Sequence, residues 1–267
     1  MTPDHTACTL ALDRLRVRLD CAAPGVIDYL RPRYQAFLVD DATADCTLAI
    51  AKPEWRERPG LPRDFEFRSR RLTFTSTGYR GDIDLSAQRA TLHLSTLHLF
   101  EDIDYAVRAI FALLAFEAGG LLFHAAGLKR QGCGYAFFGY SGSGKTTVSR
   151  VSRDAVVLND DLILLLPTAD GWRMAATPFS NPTQFAPSGP LHVALHGLYR
   201  LVQDRRVFAE DLPIGSAVAE IVASAPIVSA DPARTIDLLA RALQLAQSVP
   251  VRRLHFLPDD SFWSVIS

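Results

Sequence analysis

The sequence predicts an α/β protein with a strand-rich N-terminal lobe. Three observations carry this: apolar residues alternate with a period of two over 65–94, a long helical stripe follows residue 102, and a strand, a glycine-rich loop and a helix succeed one another at 135–152. With 267 residues, 48% hydrophobic and 21% charged, the chain has an ordinary globular composition and can bury a sizeable core as one large domain or two smaller ones.

Taken in order, residues 10–19 alternate weakly and read as strand, 24–34 as a short helix with Pro24 near its start, and 46–51 as an apolar strand. Phe65/Phe67, Leu72/Phe74, Ile83/Leu85 and Leu92/Leu94 each sit two apart, with turns near Gly78-Tyr79 and 86–88, which predicts an antiparallel meander. Asp102 reads as the cap of a helix reaching about Ala118, with Ile103, Val107, Ile110, Phe111 and Leu114 as its apolar stripe and Gly119-Gly120 as its stop. Strands at 121–128 and 135–138 follow, joined by a polar turn, and then a helix at 145–152. A short buried strand at 155–158 ends in Asn159-Asp160-Asp161, and 162–166 with 172–176 form a hairpin. Residues 178–190 carry four prolines and read as a loop. A strand at 198–202, a helix at 216–223, a helix opened by Asp231-Pro232 and reaching about Gln247, and a strand at 250–256 complete the chain. The division expected is a lobe of residues 1–100 and a second domain of 101–267, or one continuous unit.

With 28 basic and 29 acidic residues the net charge is −1, so charge gives no reason to expect nucleic acid or an acidic membrane surface as partner. The most apolar stretch, 105–128, is interrupted by Arg108, Glu117, Gly119-Gly120 and His124, so a membrane span is not expected. Residues 1–13 carry Asp4, His5 and Asp13 and lack the apolar core of a signal peptide. The four cysteines are scattered without a C-x-x-C pair, which indicates neither a zinc site nor a disulfide framework and fits a reducing cytoplasm. Only three of the basic residues are lysines: Lys52, Lys129 and Lys145, the first two read as lying in exposed turns.

The run Gly139, Tyr140, Ser141, Gly142, Ser143, Gly144, Lys145, Thr146 matches G-x-x-x-x-G-K-[ST], with Thr147 next. Such a loop lets backbone N–H groups surround a phosphate at the start of a helix, with the lysine reaching the β- and γ-phosphates and the Thr hydroxyl on Mg²⁺. Asp160 and Asp161 follow a buried strand shortly after. Alone, Asn-Asp-Asp is a common turn initiator. Beside a phosphate loop, one carboxylate can hold magnesium and the other can activate a hydroxyl or take a second metal position. His124, in the strand before the loop strand, has by itself the default reading of a satisfied core histidine.

These residues resemble HPr kinase/phosphorylase and ATP-dependent phosphoenolpyruvate carboxykinase. The likeness lies in Phe123-His124, the loop from Tyr135 to Thr147, and Asn159-Asp160-Asp161, about forty residues in all, with the short distance from loop to acid pair as its most specific feature. The resemblance implies a P-loop core of mixed sheet and helices of the HPr-kinase/carboxykinase type. It implies Lys145 and Thr146 on nucleotide phosphate and Mg²⁺, Asp160 in the magnesium shell, Asp161 as metal ligand or acceptor base, and His124 beside the γ-phosphate. Thr147 follows the loop as in the carboxykinases, where HPr kinases have an acidic residue. The C-terminal signature of phosphorylase activity and hexamer contacts, and the carboxykinase oxaloacetate arginines, have no counterpart. The expectation is therefore an ATP- and Mg²⁺-dependent kinase acting on a hydroxyl of a small protein, peptide or small molecule, with a homo-oligomer left open. The rivals are a nucleotide-binding regulatory module and a carboxykinase-like or small-molecule phosphotransferase. A cation on the transferring phosphoryl is expected as well, with Arg173, Arg205 and Arg206 as candidates, and the proline-rich loop is expected to cover the site.

Overall fold

The computed structural model of the chain describes residues 6–23, 25–40, 43–52, 64–76, 78–95, 98–179 and 189–266. The fold is mixed α/β, and the described residues form two eight-stranded mixed sheets. The chain divides into two compact units, Met1–Leu114 and Ala115–Ser267, the division falling inside a helix.

The first unit begins with β1 (Ala7–Leu12) and β2 (Leu15–Cys21), an antiparallel pair in which Leu12 faces Leu15 across an Asp13-Arg14 turn with Asp13 at positive φ. The weak alternation of residues 10–19 is thus a hairpin and not one strand: an Asp-Arg turn lacks the Asn-Gly signature that would have marked it. Helix α1 (Val26–Tyr34) starts after Gly25 and carries Pro32 inside it; Pro24 lies outside the described residues. Then come β3 (Leu38–Val39), β4 (Cys46–Ile50), β5 (Asp64–Arg68), β6 (Arg71–Thr75), β7 (Tyr79–Asp84) and β8 (Arg89–Leu94), giving the order β3-β1-β2-β4-β8-β7-β6-β5. Strands β5 to β8 are the antiparallel meander, but β4 inserts between β2 and β8, parallel to both.

Helix α2 (Leu99–Glu117) starts one turn earlier than its cap signal suggested, so Asp102 lies in the first turn, its N–H donating to His98 O. Tyr105 of α2 packs on Phe65, Phe74 and Tyr79 of the sheet. Asp104 of α2 accepts from the buried Tyr34 hydroxyl at 2.8 Å and from Arg108 at 2.6 Å. The helix ends as its glycines dictate. Gly119 sits at φ 85, its N–H donates to Phe116 O, and the Gly120 N–H donates to Ala115 O, the Schellman pattern.

The second unit holds β9 (Leu121–Arg130), β10 (Cys133–Phe138), α3 (Lys145–Val151), β11 (Val156–Asn159), β12 (Leu162–Thr168), β13 (Gly171–Ala175), β14 (His192–Gln203), β15 (Phe208–Asp211), α4 (Ile214–Ala223), α5 (Thr235–Ser248) and β16 (Val251–Phe256). Strands β9 and β14 are each shared. The first half of β9 pairs with β12 and its second half with β10 and β11. The start of β14 pairs with β13, and the rest with β10 and β16. The pairing β10-β9-β12-β13-β14 therefore closes on itself. Where layers meet there is room only for glycine: a Cβ on Gly127 would stand 2.7 Å from Ile163 Cγ2, and one on Gly134 2.7 Å from Ala194 O.

One run of neighbours matters most, β11-β9-β10-β14-β16, in which β11, β10, β14 and β16 are mutually parallel and β9 is antiparallel. Their C-terminal ends, and the point midway along β9 where Ala125 faces Phe138, share one edge. Lys129 lies in β9 and not in a turn. Strand β14 is longer than the strand read at 198–202, and the short edge strand β15 and a closing 3-10 turn at Asp260–Val265 gave no sequence signal. Asp231 Oδ1 accepts from Ala233 N–H, but a 3-10 turn at Pro232–Arg234 precedes α5. Residues 180–188 of the proline-rich loop, and with them the expected cover, lie outside the described residues. No helix among the described residues is long and apolar enough to cross a membrane.

A Cβ on Gly120 would stand 2.1 Å from Leu165 O, a backbone atom with no rotamer to escape by. Gly120→Ala is expected to destabilise the second unit by about 2–4 kcal/mol, at the upper end of overpacking costs. Urea unfolding checks it, and a midpoint equal to wild type would refute the close approach.

Candidate functional site

The site is built at that shared edge. The loop 139–146 leaves β10 with Gly139, Gly142 and Gly144 at φ 148, 81 and 109, backbone conformations that L side chains rarely adopt. A Cβ on Gly144 would stand 2.5 Å from the Phe256 ring of β16, so this glycine also lets the loop lie close against its neighbouring strand. Ser143 N–H donates to Tyr140 O at 3.1 Å and closes a turn within the loop. The N-cap of α3 is Gly144, which has no side chain to cap the helix start. Lys145 is buried, and its Nζ donates to Gly139 O at 3.0 Å and Tyr140 O at 3.3 Å. Burial pulls its ammonium below the usual lysine range; Asp161 and Asp160 oppose the fall and Arg200 adds to it.

On one side of the loop stand the acids. Asn159 ends β11, and its side chain ties the turn from both ends. Its Oδ1 accepts from the N–H groups of Asp161 (2.7 Å) and Leu162 (3.0 Å), and its Nδ2 donates to Thr177 O (2.9 Å) and Phe179 O (3.0 Å). The Thr177 hydroxyl in turn donates to Leu162 O at 2.5 Å. Asn159 holds the acid pair in place, a role that reading it as a turn initiator did not reveal.

Asp160 is fully buried, and among the described residues neither of its carboxylate oxygens has a hydrogen-bond partner of good geometry. Burial pushes its carboxyl up; the Thr146 hydroxyl is the strongest influence favouring the ionised form, Asp161 raises it further, and Lys145 lowers it. A buried carboxylate without a donor is costly unless a cation meets it. The chemistry fits Mg²⁺: a hard carboxylate beside a Thr hydroxyl supplies the few protein ligands that ion takes, phosphate oxygens and water completing its shell. No group of three or more His, Cys, Asp or Glu forms a closed protein cage among the described residues. Asp161 Oδ1 lies 3.3 Å from His124 Nε2. The backbone N–H of His124 donates to Ser224 O at 2.8 Å, just past α4, so this point of β9 is tied to a second element.

On the other side of the loop stand two residues the sequence did not single out. Gln203, the last residue of β14, donates from Nε2 to Gly142 O at 2.8 Å. Arg200, paired with Phe138, places its guanidinium carbon 5.1 Å from the Tyr140 ring centroid while its Nε donates to Glu220 of α4 at 3.1 Å. Their signal was position alone: polar side chains at the loop end of a strand parallel to the loop strand. Of the arginines named as phosphoryl cations, Arg173 pairs with Ala194 near the start of β14, remote from the edge, and Arg205 and Arg206 lie just past the end of β14, across the loop from Asp161.

Neither protein-family models nor curated proteins yield a match to this chain.

Removing the buried charge of Asp160 should stabilise the ligand-free protein. The carboxyl is raised in the fold, so its destabilising effect is absent below the pKa of an unfolded aspartate and grows as pH rises through the raised folded value. Asp160→Asn is expected to add about 1–3 kcal/mol at neutral pH, a rise in Tm of roughly 2–10 °C, and the gain should shrink as pH falls. Thermal unfolding across pH tests this; a lower Tm at neutral pH would show that Asp160 has a partner.

Proposed function

We propose that the chain is an ATP- and magnesium-dependent phosphotransferase that moves the γ-phosphoryl group to a hydroxyl acceptor, a serine of a small protein or peptide or a small-molecule alcohol, on a P-loop core of the HPr-kinase/carboxykinase type. The observation that carries this reading is the common edge of Lys145 in its glycine loop, the buried and poorly hydrogen-bonded Asp160 beside Thr146, and Asp161 within 3.3 Å of His124.

Lys145 turns from the loop carbonyls to the β- and γ-phosphates, where a compact ammonium neutralises charge in a loose transition state. Thr146 and Asp160 would hold Mg²⁺, which when bound supplies charge neutralisation on the phosphate oxygens. Asp161 accepts the acceptor's proton as its oxygen attacks phosphorus: one O–P bond forms, the bond from phosphorus to the β,γ-bridging oxygen breaks, and ADP leaves. His124 keeps the Asp161 carboxylate aimed. This kit works mainly by placement, which suits phosphoryl transfer.

Asp161→Asn is expected to lower kcat by about 10²–10⁴-fold, the usual worth of a positioned base, with Mg·ATP binding retained. Single-turnover transfer from γ-labelled ATP beside calorimetric binding separates the two effects, and full activity in the variant would sink the assignment. Magnesium-dependent ATP binding should weaken on acidification at a higher pH than an ordinary carboxylate would give, because the ion needs Asp160 ionised and its carboxyl is raised.

A further inference from the structure

The reading just given orders a nucleotide along the edge. Asp160, Asp161 and His124 stand on the β11–β9 side of Lys145, so the magnesium and the reacting γ-phosphoryl belong there. Strands β14 and β16 lie on the opposite side of β10, parallel to it, and end at the same edge. A triphosphate seated in the loop with its γ end toward Asp161 must send its nucleoside across the ends of β14 and β16.

That side carries flat cationic groups. The turn after β14 is pinned: Gln203 holds Gly142 O, Asp204 N–H donates to Phe256 O at 3.1 Å, and Asp204 Oδ2 lies 2.8 Å from His255 Nδ1. His255 stacks on Phe208 with ring centroids 4.0 Å apart and planes 11° from parallel, and the Arg206 guanidinium carbon stands 5.5 Å from the Phe208 centroid. Asp204 is committed to His255 and to the backbone N–H of Arg205. Arg205 and Arg206 are exposed, and among the described residues neither guanidinium has a carboxylate partner. We infer that the β14–β15 turn is the nucleoside subsite, in which Arg205 and Arg206 receive the purine and ribose of the nucleotide with their planar guanidinium groups, on a platform made rigid by the Asp204–His255–Phe208 contacts. Guanidinium planes stack on flat aromatic rings and offer donors to ring nitrogens and hydroxyls, which an ammonium does not.

Two probes separate this subsite from the phosphate loop: Mg·ATP and Mg·tripolyphosphate, titrated calorimetrically into the full chain. Arg205→Ala/Arg206→Ala should weaken ATP by about tenfold, the worth of a partly desolvated stacked cation. Arg205→Lys/Arg206→Lys, which keeps the charge and loses the plane, should weaken ATP comparably and leave tripolyphosphate unchanged. Wild-type ATP affinity in the Lys pair, or parallel losses for both probes, would overturn the subsite, since the arginines would then act as charge alone. A wild-type chain that binds tripolyphosphate and ATP equally would overturn it too. A chain that binds neither would overturn the phosphate-loop reading, and the subsite with it.

Discussion

Strands β9 and β14 each pair with more partners than one flat sheet offers, and the place of every candidate site residue follows from that sharing. If β9 paired only with β12, or only with β10, the turn after β11 and the loop after β10 would not open on one edge. Because it does both, His124 falls where the strand passes from one partner to the other, between Asp161 and the loop. The closure depends on small residues at the crossings, with Gly127 under Ile163 and Met174 and Gly134 against the backbone of Ala194. The edge is thus a product of packing as much as of strand order.

Energetically, the edge carries two buried charges of opposite sign. Lys145 is buried with its ammonium on two carbonyl oxygens, and Asp160 is buried with the Thr146 hydroxyl beside it and no hydrogen bond of good geometry among the described residues. Their mutual attraction does not outweigh burial, which remains the largest influence on each. The strain is local, and the surroundings hold it in place through Asn159 and its four hydrogen bonds to N–H groups and carbonyl oxygens on one side, and through Gln203 and Arg200 on the other. On the proposed reading, a cation and a phosphate would relieve both buried charges together, as expected of a site that takes a charged ligand.

What the sequence could reveal was whatever depends on neighbours in the chain. The meander β5 to β8 follows from alternation, the end of α2 from Gly119-Gly120, and the positive-φ positions of the loop from its glycines. What it hid depends on partners far along the chain. The insertion of β4 between β2 and β8, the long shared β14 and the edge strand β15 are matters of pairing, and alternation does not name a partner. The same holds within the site. Gly139 to Thr146, Asp160 and Asp161 lie close in sequence and were legible as a motif, whereas Asn159 acts through Thr177 and Phe179, Gln203 through a carbonyl sixty-one residues earlier, and Arg200 through Glu220. Polar residues of this kind look ordinary until the fold supplies their partners.

The scarcity of lysine gains a physical meaning in this setting. Lys52 is exposed and Lys129 is a partly buried residue of β9, so neither position demands an ammonium. At Lys145 the demand is steric. The side chain folds back under its own loop to reach Gly139 O and Tyr140 O, and a planar guanidinium with its five donors has no way to turn within so small a ring of backbone. Arg200 shows the complementary case a few ångströms away. It approaches Tyr140 and the position next to Gly139 from outside the loop, where a flat cation can stack on the ring while an acid on α4 holds its other end. The chain therefore uses each cation where its shape fits: arginine around the loop, where planes and forks find partners, and lysine inside it, where only a point charge on a flexible stem can stand.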